Sequence, residues 1–338
     1  MTSSEKKFLN AVHAGDLKTL DDLAKGSLLS KPVSPELRLP AGGPVVFEAI
    51  SGGQLQSLAW FLARGVDQNL RDECDYSLLE KAVLYKHTDL VRELLKAGAD
   101  PDAHRKDRAS PLAQAISNRD EPTAVALIEA GADTSELADG RKTLLVEAIN
   151  RGLTDLAIRL VEVGVDVNHE PNDRDTALHR AARKGYLPLA ALLLDKGADI
   201  NAKGNDHHTP LSYATSEFNE PMVRLLLERG ADPDICDRYA HRPIHAACVW
   251  CNADVVRLLI ARGSKVNALY EDEATPLHKA AEHCKDEDGS IARLLLEAGA
   301  YHSPRCTGMR KTPLGIARFR GNRGVEARLL EYGATEDD

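Results

Sequence analysis

The residues best suited to chemistry gather between positions 248 and 284. Cys248-Val249-Trp250-Cys251 is a C-x-x-C pair, and His283 and Cys284 occupy comparable places further along. Four such donors could hold zinc, whose sulfur ligands sit at about 2.3 Å in a tetrahedron. Bringing them together would need the segment after Cys284 to bend inward, because packed helices stand roughly 8–10 Å apart. Cys248 also fills a slot where a small buried residue is expected, so it reads as packing, and no metal or other cofactor is expected. His179, His245 and His278 recur in one repeated context. A catalytic base acts at one place, so none of the three is assigned that role. No G-x-S-x-G elbow, phosphate-binding glycine loop or H-E-x-x-H pair occurs, and the chain is read as no enzyme.

Charge and composition narrow the partners. The net charge is −9 and the pI about 5.8. A surface that neutralises phosphates needs a basic balance or a dense basic stripe. Nucleic acid and anionic membranes are therefore not expected as partners. No apolar run approaches the roughly 18 residues of a spanning helix, and Met1–Lys7 lacks the apolar stretch of a signal peptide. The six cysteines, at 74, 236, 248, 251, 284 and 306, are unevenly placed in a long chain. They read as reduced thiols of a cytoplasmic or nuclear protein. Aromatics make up only 4% of the chain, which makes any exposed one worth locating.

The elements that must position these groups are announced by a glycine ladder. Gly65, Gly98, Gly131, Gly164, Gly197, Gly230, Gly263, Gly299 and Gly333 recur every 33 residues, except for closing intervals of 36 and 34. Each follows an apolar helical stretch, where a glycine can take the left-handed conformation that ends a helix. Twenty-one residues earlier in many units stands a hydroxyl residue, often followed by proline, as in Ser110-Pro111, Thr209-Pro210, Thr275-Pro276 and Thr312-Pro313. This pairs an N-cap with a first-turn proline that sacrifices no hydrogen bond. Pro122, Pro188 and Pro221 stand 12 residues beyond the cap and fit the first turn of a second helix. Every unit thus reads as cap, short small-residue helix, turn, longer aliphatic helix, glycine stop and polar loop. One such pair cannot bury its apolar surface alone, whereas a stack can.

Thr275-Pro276-Leu277-His278, the pairs Ala181-Ala182 and Ala280-Ala281, and Gly197-Ala198-Asp199-Ile200-Asn201 together resemble the ankyrin-repeat family. The resemblance covers roughly residues 5 to 334 and implies an all-α solenoid of about ten helix-turn-helix units with hairpin-like loops. On this basis residues 1–37 form a degenerate capping repeat with an irregular loop carrying Pro32, Pro35 and Pro40. Residues 38–304 form eight repeats, and 305–338 a C-terminal capping repeat. The repeat at 269–304 holds three extra residues within 284–290, which suit either a binding loop or neutral length drift.

In that family the partner surface is usually the concave side, built from loop tips and first helices, and the recurrent histidine braces neighbouring loops. By register, the exposed positions here are His208 and Glu217, then Arg238, Tyr239, His241, Val249 and Trp250, then Glu271, Asp272, Glu282, His283, Met309, Lys311, Phe319 and Arg320. Tyr76, Leu84 and Tyr85 form a smaller candidate near the other end. Trp, Tyr and Arg most often dominate interface energetics. The partner-binding residues are accordingly taken as Arg238, Tyr239, His241, Trp250, Met309, Phe319, Tyr76 and Tyr85. Arg108, Arg141 and Arg174 stand where the family often has glycine. With Arg105, Lys106, Lys142, Arg183 and Lys184 they make a basic strip, weakened by Asp107, Asp139, Asp173 and Asp175. The function expected is a non-catalytic scaffold or adaptor, monomeric, that binds a protein. A small-ligand, metal-binding or enzymatic role centred on the last three repeats is the alternative, and self-association a third possibility.

Overall fold

The computed structural model describes residues 3–25, 38–39, 42–105, 107–138, 141–285 and 287–335. The irregular loop bearing Pro32, Pro35 and Pro40 lies outside the described residues, as do Lys106, Asp139 and Asp286. The described residues form two compact units, Met1–Val165 and Asp166–Asp338, both built from helix pairs.

In the first unit the pairs are α1 (Ser3–Ala14) with α2 (Leu17–Lys25), α3 (Val46–Ser51) with α4 (Leu55–Leu62), and α5 (Leu78–Leu84) with α6 (Thr88–Lys96). They continue with α7 (Pro111–Ser117) and α8 (Glu121–Glu129), then α9 (Leu144–Arg151) and α10 (Thr154–Glu162). First helices pack on first helices and second on second along the unit. Two short antiparallel hairpins, β1 (Arg38–Leu39) with β2 (Gly42–Pro44) and β3 (Leu137–Ala138) with β4 (Lys142–Thr143), close two of the loops. At the start of the unit, Phe8, Trp60 and Phe61 meet edge-on with centroids 5.2–6.4 Å apart. Trp60 Nε1 donates to Asp21 at 2.7 Å, so α2 is tied to α4 by a bond its neighbours lack the residues to copy.

The second unit repeats the plan. It comprises α11 (Ala177–Lys184) and α12 (Leu187–Asp195), α13 (Pro210–Ser216) and α14 (Glu220–Glu228), and α15 (Pro243–Val249) and α16 (Ala253–Ala261). α17 (Pro276–His283) with α18 (Ser290–Glu297) and α19 (Pro313–Arg320) with α20 (Arg323–Glu331) complete it. The alanine pairs 181–182, 246–247 and 280–281 are buried, as are Leu193, Leu226, Leu259 and Leu295 from the second helices. Burying each such leucine contributes about 1.5–3 kcal/mol, which the two helices of an isolated pair could not realise.

Local chemistry explains the boundaries. Ser110, Thr143, Thr209 and Thr312 each accept a hydrogen bond from the backbone three residues on, the expected N-cap. All nine ladder glycines have φ between 83° and 92°. At Gly197 a Cβ would meet nothing within 4 Å, so the requirement there is conformational and not steric.

The histidines do brace the loops. His179 Nδ1 takes the N–H of Thr176 at 3.1 Å, while Nε2 reaches the carbonyls of Ala202 and His208 at 2.9 and 3.0 Å. His245 and His278 repeat this with Arg242 and Ala268, and with Thr275 and Pro304. Burial holds all three below the usual histidine range, His245 at about 3 and His278 at about 4. A second set of ties joins successive loops. Asn168 Oδ1 accepts from Asp199 N, Asn201 from Asp232 N, Asp234 from Lys265 N and Asn267 from Tyr301 N, at 2.8–2.9 Å.

Candidate protein-interaction surface

Seven of the loops that precede a first helix make their turn with a left-handed residue two positions before the cap. Asp75, Arg141, Arg174, His207, Ala240, Glu273 and Arg310 hold this place, with φ from 54° to 64°. Arg108 stands in the same register without the left-handed backbone. A non-glycine residue held left-handed costs about 1–2 kcal/mol. The turns between paired helices also use a left-handed residue: glycine at 15, 53, 152, 185 and 321, but Lys86, Arg119, Phe218 and Cys251 in four others.

These turns present the aromatic side chains. Trp250, the C-cap of α15, is 50% exposed, and Phe218 is 52% exposed. Their rings meet edge-on with centroids 4.8 Å apart. Trp250 therefore leans on the turn of the preceding repeat and leaves half its surface open. Phe319, on α19, is 68% exposed, with Lys311 Nζ 5.6 Å and Arg320 5.8 Å from its ring centroid. Tyr239 is exposed on its loop, with the Arg238 guanidinium 5.2 Å from the ring. Arg238 in turn pairs with Asp206 at 2.8 Å. Met309 is half-buried.

His241 lies deeper than Tyr239. Its ring stacks on His245 at 5.8 Å and meets the edge of Tyr270 at 5.2 Å. Burial pushes its pKa down, against the pull of Asp237. The buried Asp237 carboxylate accepts the N–H groups of Tyr239 and His241 at 2.8 and 2.9 Å, and so fixes the loop that carries both. Its other oxygen lies 4.0 Å from His208 Nδ1 and 3.8 Å from His241 Nδ1.

In the first unit Tyr85 and Leu84 are exposed. Tyr76 is half-covered: the Arg108 guanidinium lies 3.6 Å over its ring and Lys81 Nζ 4.5 Å away. A cavity of about 200 Å³ opens beside it, lined by Tyr76, Val83, Leu84, Arg108 and Pro111 among others. The basic strip is answered locally. Arg105 pairs with Asp107 at 2.8 Å, Arg174 with Glu170 at 2.7 Å and Arg183 with Glu217 at 3.7 Å.

The C-x-x-C residues do not converge on a cation. Cys248 and Cys284 are buried and Cys251 is exposed. The Cys284 thiol donates to the carbonyl of Cys248 at 3.0 Å, and burial pushes the Cys248 thiol up. Among the described residues no cluster of three or more His, Cys, Asp or Glu side chains could hold a metal. The three-residue insertion is braced from the last repeat: Arg328 Nε donates to Asp288 O at 2.9 Å, and Asn322 donates to the Cys284 carbonyl. No helix of the described residues is long and apolar enough to cross a membrane.

The sequence reading missed Phe218, because its place in the turn is one step past the register positions taken as exposed. An aromatic at the turn position that the two preceding repeats fill with Gly152 and Gly185 was the available signal.

The family model for ankyrin repeats (3 copies) matches residues 46–138, 112–204 and 200–270. An ankyrin repeat-containing protein of Treponema pallidum (strain Nichols) is 34% identical over 118 residues, covering 34% of this chain and 38% of the relative. Protein phosphatase 1 regulatory subunit 27 of mouse is 29% identical over 100 residues, covering 30% of this chain and 62% of that protein. The human protein of that name matches to the same extent. The chain thus spans less than two thirds of the length of these curated relatives. With the family model matched over more than half of the sequence, and with capped helix pairs, left-handed glycine stops and histidine braces in register, the chain belongs to the ankyrin-repeat family.

Proposed function

We propose that this protein is a non-catalytic scaffold or adaptor that binds a protein partner across the loop-and-turn face of its helix pairs. The contact is assigned to Arg238, Tyr239, His241, Trp250, Met309 and Phe319, with Tyr76 and Tyr85 as a second patch. The observation that carries this reading is the exposure of Tyr239, Trp250 and Phe319 in a chain so poor in aromatics. Exposed apolar groups rimmed with charge mark contact sites, and large aromatics dominate binding energetics. The likeness to a phosphatase regulatory subunit supports the same class of role, one protein acting upon another. The family's fold hosts many functions, so the partner is defined by the face and not by the fold.

The test is recovery of partners on the full chain and on the Tyr239→Ala, Trp250→Ala double variant. Both side chains are about half exposed, so the double variant stays folded, with a loss of about 1–2 kcal/mol that includes the Phe218–Trp250 ring contact. Partner recovery is expected to be lost. Undiminished recovery by a folded double variant removes this patch as the contact.

A further inference from the structure

Two exposed rings of the second unit have a cation of the chain beside them. Tyr239 has Arg238, and Phe319 has Lys311 and Arg320. Phe218 and Trp250 are the one pair of exposed rings in mutual contact among the described residues; they meet edge-on, and no cation of the described residues lies over either ring. Their position is also held against a conformational cost, since Phe218 is left-handed at φ 59° where the preceding repeat uses Gly185. Non-glycine residues persist in that region when the surrounding structure over-determines them, and such places gather at binding sites.

The charge around the pair favours a cation. Glu217, next to Phe218, is exposed, and its ion pair with Arg183 spans 3.7 Å between two exposed side chains. Such a pair is worth little and exchanges readily. Glu282, on the neighbouring first helix, is held by Arg320 at 2.6 Å. The whole chain carries a net charge of −9. A guanidinium is the side chain that suits both halves of this arrangement, because its plane stacks on an aromatic face while its edge donates to a carboxylate.

We propose that Phe218 and Trp250 form a receptor for an arginine of the protein partner, whose guanidinium lies on the open indole face and donates to Glu217. This rests on the binding role assigned above and names the chemistry of the residue that docks there.

The test begins with a phage-displayed library of random 12-residue peptides selected on the full chain. One selected peptide whose binding depends on residue 250 is then synthesised. Replacing its arginine by citrulline, which keeps shape and removes charge, is expected to weaken binding about tenfold. Phe218→Leu with Trp250→Leu in the protein, which keeps apolar area and removes the ring faces, is expected to cost a similar factor. Combining the two changes should cost little more than either alone, because both remove one interaction. Glu217→Gln is expected to narrow the preference for arginine over citrulline, with the fold checked by thermal melting.

Peptides that depend on residue 250 but lack any cation, or that tolerate both leucines, overturn the arginine receptor and leave the binding role standing. A library that yields no peptide sensitive to residues 218, 239 or 250 overturns both.

Discussion

Lowering the pH from 7 to 5 should destabilise the second unit by about 4 kcal/mol through two buried imidazoles. His245 and His278 are buried, each accepting a backbone N–H at one ring nitrogen and donating to a carbonyl from the other. Their folded-state values are about 3 and about 4, against about 6.5 in an unfolded chain. Between those limits the unfolded state binds more protons, so stability is fully present above pH 6.5 and is lost as pH falls towards the folded values. At pH 5 each group has crossed about 1.5 pH units of that window, at about 1.4 kcal/mol per unit. His179, His241 and His283 are shifted the same way and add to the loss. The lowered carboxylates Asp16, Asp107 and Asp133 titrate below their ordinary 3.8 and take no part in this interval. Urea unfolding at the two pH values measures the effect. In a Trp60→Phe background the remaining indole, Trp250, reports on the second unit alone. His245→Gln should lower stability at pH 7 yet shrink the pH 7-to-5 difference by about 2 kcal/mol. A difference that is absent, or that survives His245→Gln unchanged, refutes the neutral buried imidazole.

Three further outcomes follow from the backbone and its ties. Ala240→Gly relieves a left-handed alanine at φ 61° and should stabilise by about 1 kcal/mol, whereas Gly197→Ala should destabilise by about 1–2 kcal/mol; urea midpoints moving the other way would contradict both. Asn201→Ala removes the acceptor for Asp232 N at 2.9 Å and should cost about 1 kcal/mol, with faster hydrogen exchange at residue 232 as the local sign. Asn322→Ala strips the cap of α20 and orphans its ties to the inserted segment, for an expected loss of about 2–3 kcal/mol. Exchange protection of α20 should fall first, and an unaltered α20 would contradict the bracing role.

Most of the fold is legible in the chain because its punctuation is periodic and chemical. Thr312-Pro313 can start a helix and Gly333 can end one whatever surrounds them, so local rules suffice there. The candidate surface is less legible, because exposure depends on neighbours distant in sequence. Tyr76 and Tyr85 are both tyrosines in comparable register, yet Arg108 from the next loop covers one and leaves the other open. The insertion at 284–290 has a loop's composition, while its bracing comes from Asn322 and Arg328, 38 to 40 residues later. Phe218 escaped notice since side-chain type alone does not disclose that its backbone is left-handed and its ring meets Trp250. The loop ladder is half-visible: Asp199-Ile200-Asn201 is legible as a polar stretch after a glycine stop, but not that Asn201 accepts from Asp232 of the following repeat.

The central claim is that partners dock on the loop-and-turn face carrying Tyr239, Trp250 and Phe319. A photoreactive phenylalanine analogue placed singly at 239, 319 or 257 in the full chain tests it most directly, with Arg257 of the second helix α16 as the exposed control on the other row. Irradiation in cells should yield one shared adduct from positions 239 and 319 and none from 257. Adducts from 257 alone, or the same adduct from all three, would contradict the assignment of this face.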